Sequence, residues 1–294
     1  MSFTIIADST SDLNKELRDR YKIDYVTMNY VLDGVEYPAS LDWESHSPKE
    51  FYDLMRQGKR ITTTQVPREL FYDKFSANLK DGKDVIYIAC SSALSGSYNL
   101  ATVVAKELAD EYPNNTVFCV DSLISSLGQG SLAIKASELR SEGKTAAETA
   151  DFLISNRLKF NQFGTADTLE YLRRAGRVKA SKAFFGNLFG VKPIIISDVN
   201  GQNYAYKKTK GSLNAKIAIA EDIAAAVENP QDQILYISHG DDITSAEQLK
   251  EIILERVAFK GVHIDHIGPI VGSCVGPGTI IGFCCGKEVT IKGE

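Results

Sequence analysis

The stretch Ser91-Ser92-Ala93-Leu94-Ser95-Gly96-Ser97 sets four hydroxyls and a glycine between the apolar, β-branched run 85–90 and a helical pattern that begins at Tyr98. Hydroxyl donors at a strand-to-helix junction are suited to an anion, because the first N–H groups of a helix are unpaired and carry a partial positive charge. Capping needs one hydroxyl. Four of them, with a glycine that lets a ligand approach the backbone, read as a binding turn. Two chemistries fit. Ser95 or Ser92 is a candidate nucleophile of a serine hydrolase or acyltransferase, with its oxyanion held at the helix N-terminus. Alternatively the turn holds a bound anion that does not react, as in a carrier or a small-anion or nucleotide sensor.

Two further hydroxyl-rich turns follow apolar runs, "ADSTSD" at 7–12 and "VDSLISSLGQGS" at 120–131. In an open α/β sheet the carboxyl ends of the strands form one rim, so the three turns are expected to lie together. Within them Ser9, Ser11 and Ser125 read as helix N-caps. In "ITTTQVP" at 61–67, three threonines favour an extended edge strand with Thr63 on the face opposite Thr62 and Thr64, and Pro67 suits the first turn of a helix. "TLEYLRRAGRV" at 168–178 reads as a short helix closed by a glycine C-cap. Arg173 and Arg174 are then surface residues, and Arg177, past the cap, is aimed away from the helix. "VGSCVGPGT" at 271–279, with Cys274 in its middle, reads as an irregular glycine-rich cradle of bare backbone.

Familiar catalytic signatures are missing: G-x-S-x-G, the phosphate-binding G-x-x-x-x-G-K-[ST] and H-E-x-x-H do not occur, and "GQGSLA" at 128–133 does not complete a dinucleotide fingerprint. The four histidines, His46, His239, His263 and His266, stand at no recognisable spacing from Ser92 or Ser95. His239-Gly240-Asp241-Asp242 reads as a strand-end turn with an Asx cap in preference to a metal site. No metal or cofactor is expected.

The elements that position these turns are those of an α/β protein. Buried strands are expected at 3–7, 85–90 and 116–120, an Asp33-Gly34 hairpin lies between the first two, and helices are expected near 12–20, 48–57, 68–79, 97–111, 125–141 and 145–156. From residue 190 on, five strand patterns alternate with helical patterns at 212–227 and 244–257. The fold class is therefore α/β with two domains, 1–160 holding a mainly parallel sheet flanked by helices and 161–294 a mixed sheet with helices. A ligand belongs in the cleft between them. At 294 residues, 44% hydrophobic and 24% charged, the chain has the composition of a soluble globular protein. Its net charge of −5, without a basic stripe, argues against nucleic acid. No apolar run reaches the ~20 residues of a membrane span, and no basic, apolar leader opens the sequence, so a cytoplasmic location is expected. The five cysteines, Cys90, Cys119, Cys274, Cys284 and Cys285, form no C-x-x-C pair and read as buried thiols in a reducing compartment.

Seven stretches, "IIADSTSDL", "TTTQVP", "SSALSGSYNLA", "VDSLISSLGQG", "TLEYLRRAGRV", "GVKPIII" and "VGPGT", occur in an order and spacing that resembles the DegV family of bacterial fatty-acid-binding proteins from about residue 3 to residue 286. The resemblance implies a non-enzymatic carrier. It would hold one long-chain fatty acid, such as palmitate, stearate or oleate, with the acyl chain in an apolar tunnel and the carboxylate at the domain junction. In members that serve a fatty acid kinase, the acid is presented to that separate subunit and becomes an acyl phosphate. By resemblance, Thr63, Ser95 and Gly96 hold the carboxylate, and Arg177, Lys210 and Cys274 stand at the head group or partner contact. The sequence departs from the family pattern at four places: Cys274 replaces the histidine of H-T-G-P-G, Lys210 stands where an arginine is frequent, Thr63-Thr64-Gln65-Val66-Pro67 replaces T-S-Q-P-S, and Ala175-Gly176-Arg177 replaces G-G-R.

Overall fold

Strand β1 (Thr4–Asp8) leads through α1 (Lys15–Tyr21) into β2 (Ile23–Val26). The computed structural model describes residues 3–180, 184 and 190–293. Helix α1 starts later than the apolar pattern suggests because its N-cap is Asn14, whose side chain accepts from the Leu17 N–H. Strands β3 (Asn29–Leu32) and β4 (Val35–Pro38) form the expected hairpin, with φ of 51° at Asp33 and 82° at Gly34, the pair of positive values a type I′ turn requires. Helix α2 (Pro48–Arg56) opens on a capping box between Ser47 and Glu50, and β5 (Ile61–Thr64) returns to pair with β3. The result is a three-stranded antiparallel sheet, β4-β3-β5, with β5 at its edge.

Helix α3 (Arg68–Lys80), β6 (Val85–Ala89), α4 (Ser97–Glu111), β7 (Val117–Asp121), α5 (Leu127–Ser141) and α6 (Ala146–Asn156) complete the first half. Strands β2-β1-β6-β7 form a wholly parallel sheet. Its central strands are apolar on both faces: Ile5, Ala7, Ile86 and Ile88 pack toward α5, and Ile6, Val85, Tyr87 and Ala89 pack with Phe71 and Phe75 of α3 and with Val104 of α4. That double burial explains the uninterrupted hydrophobic runs.

The second half contributes β8 (Phe160–Thr165), α7 (Glu170–Ala175), β9 (Val191–Ser197), β10 (Asn203–Lys210), α8 (Ser212–Ala226), β11 (Ile234–His239), α9 (Ile243–Leu254), β12 (Gly261–His266), α10 (Pro269–Val275) and β13 (Ile280–Cys285). Its strands form one mixed sheet, β10-β9-β8-β13-β11-β12, in which only β11 and β12 run parallel. Alternation divides the two faces. Ile194, Leu235, Ile237, Ile280 and Cys284 pack against α8 and α9, and Ile195, Tyr236, Ile281 and Phe283 join the core that contains α5. Helix α5 therefore lies between the two large sheets and is buried nearly all round. This α/β architecture, a parallel sheet flanked by helices beside a mixed sheet with helices, is the expected fold class.

Strands β2 and β8 and helix α10 depart from the reading above. Residues 269–275 form helix α10, with Pro269 in its first turn, so Cys274 sits in the last turn of a helix and not in an irregular cradle. Only the Gly276-Pro277-Gly278 end keeps a left-handed backbone, with φ of 83° and 76° at its glycines.

Candidate functional site

The rim expected at the carboxyl ends of the parallel strands is organised by Asp8, the last residue of β1. Its fully buried carboxylate accepts from five donors. Oδ1 receives the Thr10 N–H (3.0 Å), the Thr10 hydroxyl (2.5 Å) and Gln129 Nε2 (3.1 Å), and Oδ2 receives the Tyr87 hydroxyl (2.8 Å) and the Cys90 N–H (3.1 Å). One side chain thus joins the ends of β1 and β6 to the first turn of α5.

The four serines of 91–97 have separate roles. Ser91 donates to the Gly201 carbonyl (2.7 Å) across the junction of the halves, and Ser92 donates to Asp121 (2.5 Å). Ser97 Oγ accepts from the Val66 N–H (3.2 Å), which ties the turn to the segment after β5. Ser95 is held by its neighbour, accepting from the Ser97 N–H (3.2 Å), and lines a cavity of about 190 Å³ at the N-terminus of α4. The residues read as N-caps behave otherwise. Ser9 Oγ accepts from the Met28 N–H (2.8 Å), Ser11 Oγ has no partner among the described residues, and Ser125 lines the cavity. Asn14 caps α1, and the N-cap position of α5 is Ser126, which makes no side-chain cap bond.

That cavity brings together residues far apart in the chain. Thr63 of β5, Ser95 and Gly96 of the serine turn, Arg177 after α7 and Cys274 of α10 all line it, with Met28, Cys90 and Ile270 as apolar wall. A Cβ at Gly96 would stand 2.3 Å from Gln65 Oε1, the end of an exposed, flexible side chain that can turn aside. Arg177 follows the predicted C-cap, where Gly176 is left-handed at φ 67°. Its Nε donates to the Leu94 carbonyl (2.9 Å), so the guanidinium is fixed to the serine turn. Thr63, Arg177 and Cys274 also line an adjoining cavity of about 190 Å³ whose mouth carries Lys59, Arg60 and Arg174. Lys59 pairs with Asp33 and Arg174 with Glu170, whereas Arg60 and Arg177 meet no carboxylate within ion-pair distance among the described residues. Hydroxyls, a helix N-terminus and unpaired arginines at one opening favour a carboxylate-sized anion. Burial pushes the Cys274 thiol above its ordinary range, with the nearby Arg177 charge opposing. Lys210 is exposed at the end of β10 and does not line the cavity.

No histidine lines this cavity among the described residues. The rings of His239 and His266 lie 4.4 Å apart, tilted by 54°, with Trp43 edge-on to His266, and Asp242 caps α9 through the Ser245 N–H (3.0 Å), as the Asx-cap reading of that turn expects. Sharing Asn203 and Val275 with this cavity, a further space of about 20 Å³ lies against Leu172, Ile195 and Ile281.

Three sets of relatives align with this arrangement. The sequence model of a family described as "Uncharacterised protein, DegV family" matches residues 2–285. A DegV domain-containing protein of Clostridium perfringens is 33% identical over 284 residues, covering 97% of each chain. Among solved structures, a DegV family protein from Thermus thermophilus described by its fatty acid binding is similar with a TM-score of 0.87 at 28% identity, covering 98% of this chain and all of that one. A DegV lipid-binding protein from Thermotoga maritima is similar with a TM-score of 0.84 at 26% identity, over 98% and 100% of the two chains. No helix among the described residues is long and apolar enough to cross a membrane. The chain described here belongs to the DegV family.

Proposed function

We propose that this protein is a non-enzymatic carrier of one long-chain fatty acid of the palmitate, stearate or oleate class. The acyl chain runs between an N-terminal domain of residues 1–160 and a C-terminal domain of residues 161–294, and the carboxylate sits at Thr63, Ser95 and Gly96. The observation that carries this reading is the convergence of those residues with Arg177 on one cavity of about 190 Å³. Relatives at 26–28% identity described as fatty-acid- or lipid-binding support it. The hydrolase reading finds no support in the same geometry, since Ser95 shares its cavity with no histidine or carboxylate among the described residues.

A hydroxyl bonded to a charged acceptor contributes about 1.5–3 kcal/mol. Ser95→Ala and Thr63→Val are therefore expected to weaken palmitate binding by delipidated protein by about tenfold to about a hundredfold, with unchanged circular dichroism. Unchanged affinity in both variants would place the head group elsewhere.

Presentation of the bound acid to a fatty acid kinase subunit is the further step of the proposal. A neutral thiol at Cys274 is a weak donor, and ionising it beside a carboxylate is opposed both by burial and by like-charge repulsion. The expected phenotype is retained fatty acid binding with weak acyl-phosphate formation in a reconstituted kinase assay. Cys274→His is expected to raise that formation and to leave affinity nearly constant. Wild-type turnover equal to that of a histidine-bearing relative would count against this role.

A further inference from the structure

A cavity of about 470 Å³ runs beside α5 and shares no lining residue with the head-group cavity or the spaces adjoining it. One wall is a stripe of α5, Gly128, Ser131, Lys135 and Glu138, whose spacing puts them on one face of the helix. The opposite wall is the face of the mixed sheet turned toward α5, where register sets Phe160 beside Cys285 and Phe283 beside Tyr236. With Tyr21 of α1 and Phe152 of α6, five elements each bring one aromatic ring to this space. Cavities of ~300–1,000 Å³ with aromatic walls and a few polar groups are the usual form of small-molecule sites.

One of the polar groups is unpaired. Tyr236 is 8% exposed, and its hydroxyl has no hydrogen-bond partner among the described residues. Burial pushes this phenol up, so it stays protonated as a donor, and the charges of Arg20 and Glu138, both in the cavity wall, reach it. Glu138 is paired with Lys135 (3.1 Å), whereas Arg20 stands 5.4 Å from the Tyr21 ring and meets no carboxylate within ion-pair distance among the described residues. Elsewhere on the rim, Lys159 and Lys260 offset Glu228 and Asp232, so the surplus positive charge of the wall falls at Arg20.

We propose that this cavity is a second ligand site, for a small aromatic carboxylate whose rings lie among Phe152, Phe160, Tyr236 and Phe283 and whose carboxylate accepts from the Tyr236 hydroxyl beside Arg20. The inference is independent of the fatty acid reading. Edge-on and offset ring contacts add to the burial of area, and an alkyl chain gains the area alone. A neutral hydroxyl would serve Tyr236 and leave Arg20 unused; a carboxylate uses both.

The test is calorimetric titration of delipidated protein with naphthoate, before and after saturation with hexadecanoate. One equivalent is expected to bind in both cases, with a dissociation constant below about 1 mM and more tightly than neutral naphthamide. Tyr236→Phe is expected to weaken naphthoate binding about tenfold, and since it breaks no hydrogen bond of the described residues its thermal midpoint should hold. Ser131→Trp puts an indole into the cavity in place of a hydroxyl bonded only to the Leu127 carbonyl (2.6 Å) of the same helix. It is expected to abolish naphthoate binding and to leave hexadecanoate binding unchanged; if it fails to fold, Tyr236→Phe carries the test alone. No saturable naphthoate binding, equal affinity for naphthamide, or binding that Tyr236→Phe leaves at full strength overturns the inference. So does displacement of naphthoate by hexadecanoate, which would make the cavity part of the fatty acid site. Protein that binds naphthoate but no hexadecanoate upholds the second site and overturns the fatty acid reading.

Discussion

Asp8→Ala is expected to destabilise the fold by about 3–5 kcal/mol, the largest single-site loss the structure implies. The carboxylate is fully buried and serves five donors from the ends of β1 and β6 and from α5, so its removal strands the Tyr87 hydroxyl and the Cys90 N–H without an acceptor and leaves Gln129 Nε2 with the Ile88 carbonyl alone. Each stranded buried donor costs about 1–3 kcal/mol, and local relaxation keeps the total below their sum. Asp8→Asn keeps the size but turns an N–H₂ group toward donors, and a loss of more than about half the alanine value is expected. Urea unfolding reads both as a lower midpoint at constant slope. Since Thr10 and Cys90 line the head-group cavity, the variants should also bind fatty acid more weakly. An alanine variant within about 1 kcal/mol of wild type would refute the role given to Asp8.

Asp12→Asn is expected to become progressively more stable than wild type as pH rises. Asp12 sits buried at the meeting of the β1, β7, β11 and β12 ends, with a left-handed backbone (φ 52°) and its Oδ2 accepting from the Ser126 hydroxyl (2.5 Å), which in turn contacts Ser238 Oγ at 3.1 Å. Burial pushes the carboxyl up to about 8, the Ser126 bond opposes, and the nearby charges of Asp265 and Asp8 add to the rise. The folded state thus keeps a proton that the unfolded chain releases near pH 3.8. The stability this group contributes is complete below that pH and is lost as pH climbs toward 8, at ~1.4 kcal/mol per unit. Asparagine has the same shape, tolerates the left-handed backbone, offers Ser126 an acceptor and does not titrate. Between pH 5 and pH 8 the difference in unfolding free energy should move by about 4 kcal/mol in favour of the variant. Parallel pH profiles would contradict the buried, protonated state.

Much of this was legible in the residues because local signals and tertiary context agree. The doubly buried runs at β1 and β6, the Asp33-Gly34 turn and the Ser47 and Thr145 capping boxes each specify their element without reference to the rest of the chain. Strand β2, Ile-Asp-Tyr-Val, is rich in strand formers but only four residues long, too short to stand out as a pattern, and β8 reads Phe-Asn-Gln-Phe-Gly-Thr with no β-branched residue before its end, so packing in the sheet and not propensity makes it a strand. Helix α10 was hidden by Gly272 and the following Gly-Pro-Gly, although Pro269 in the first turn was a usable start signal. At the site, Thr63, Ser95, Gly96, Arg177 and Cys274 converge on one cavity, whereas Lys210 lies apart. The Asp8–Thr10–Gln129 network was not visible, because it joins residues up to 121 positions apart through side-chain geometry that no local pattern encodes.

The central claim, that the cavity holds a long-chain fatty acid, is tested most directly by native mass spectrometry of the protein purified from bacterial cells without detergent or lipid extraction. The account predicts a dominant species heavier than the bare chain by one long-chain fatty acid, which gas chromatography of the extracted lipid identifies and which is depleted in the combined Thr63→Val and Ser95→Ala variant. A spectrum of bare protein only, together with no uptake of palmitate, stearate or oleate by that protein, would contradict it.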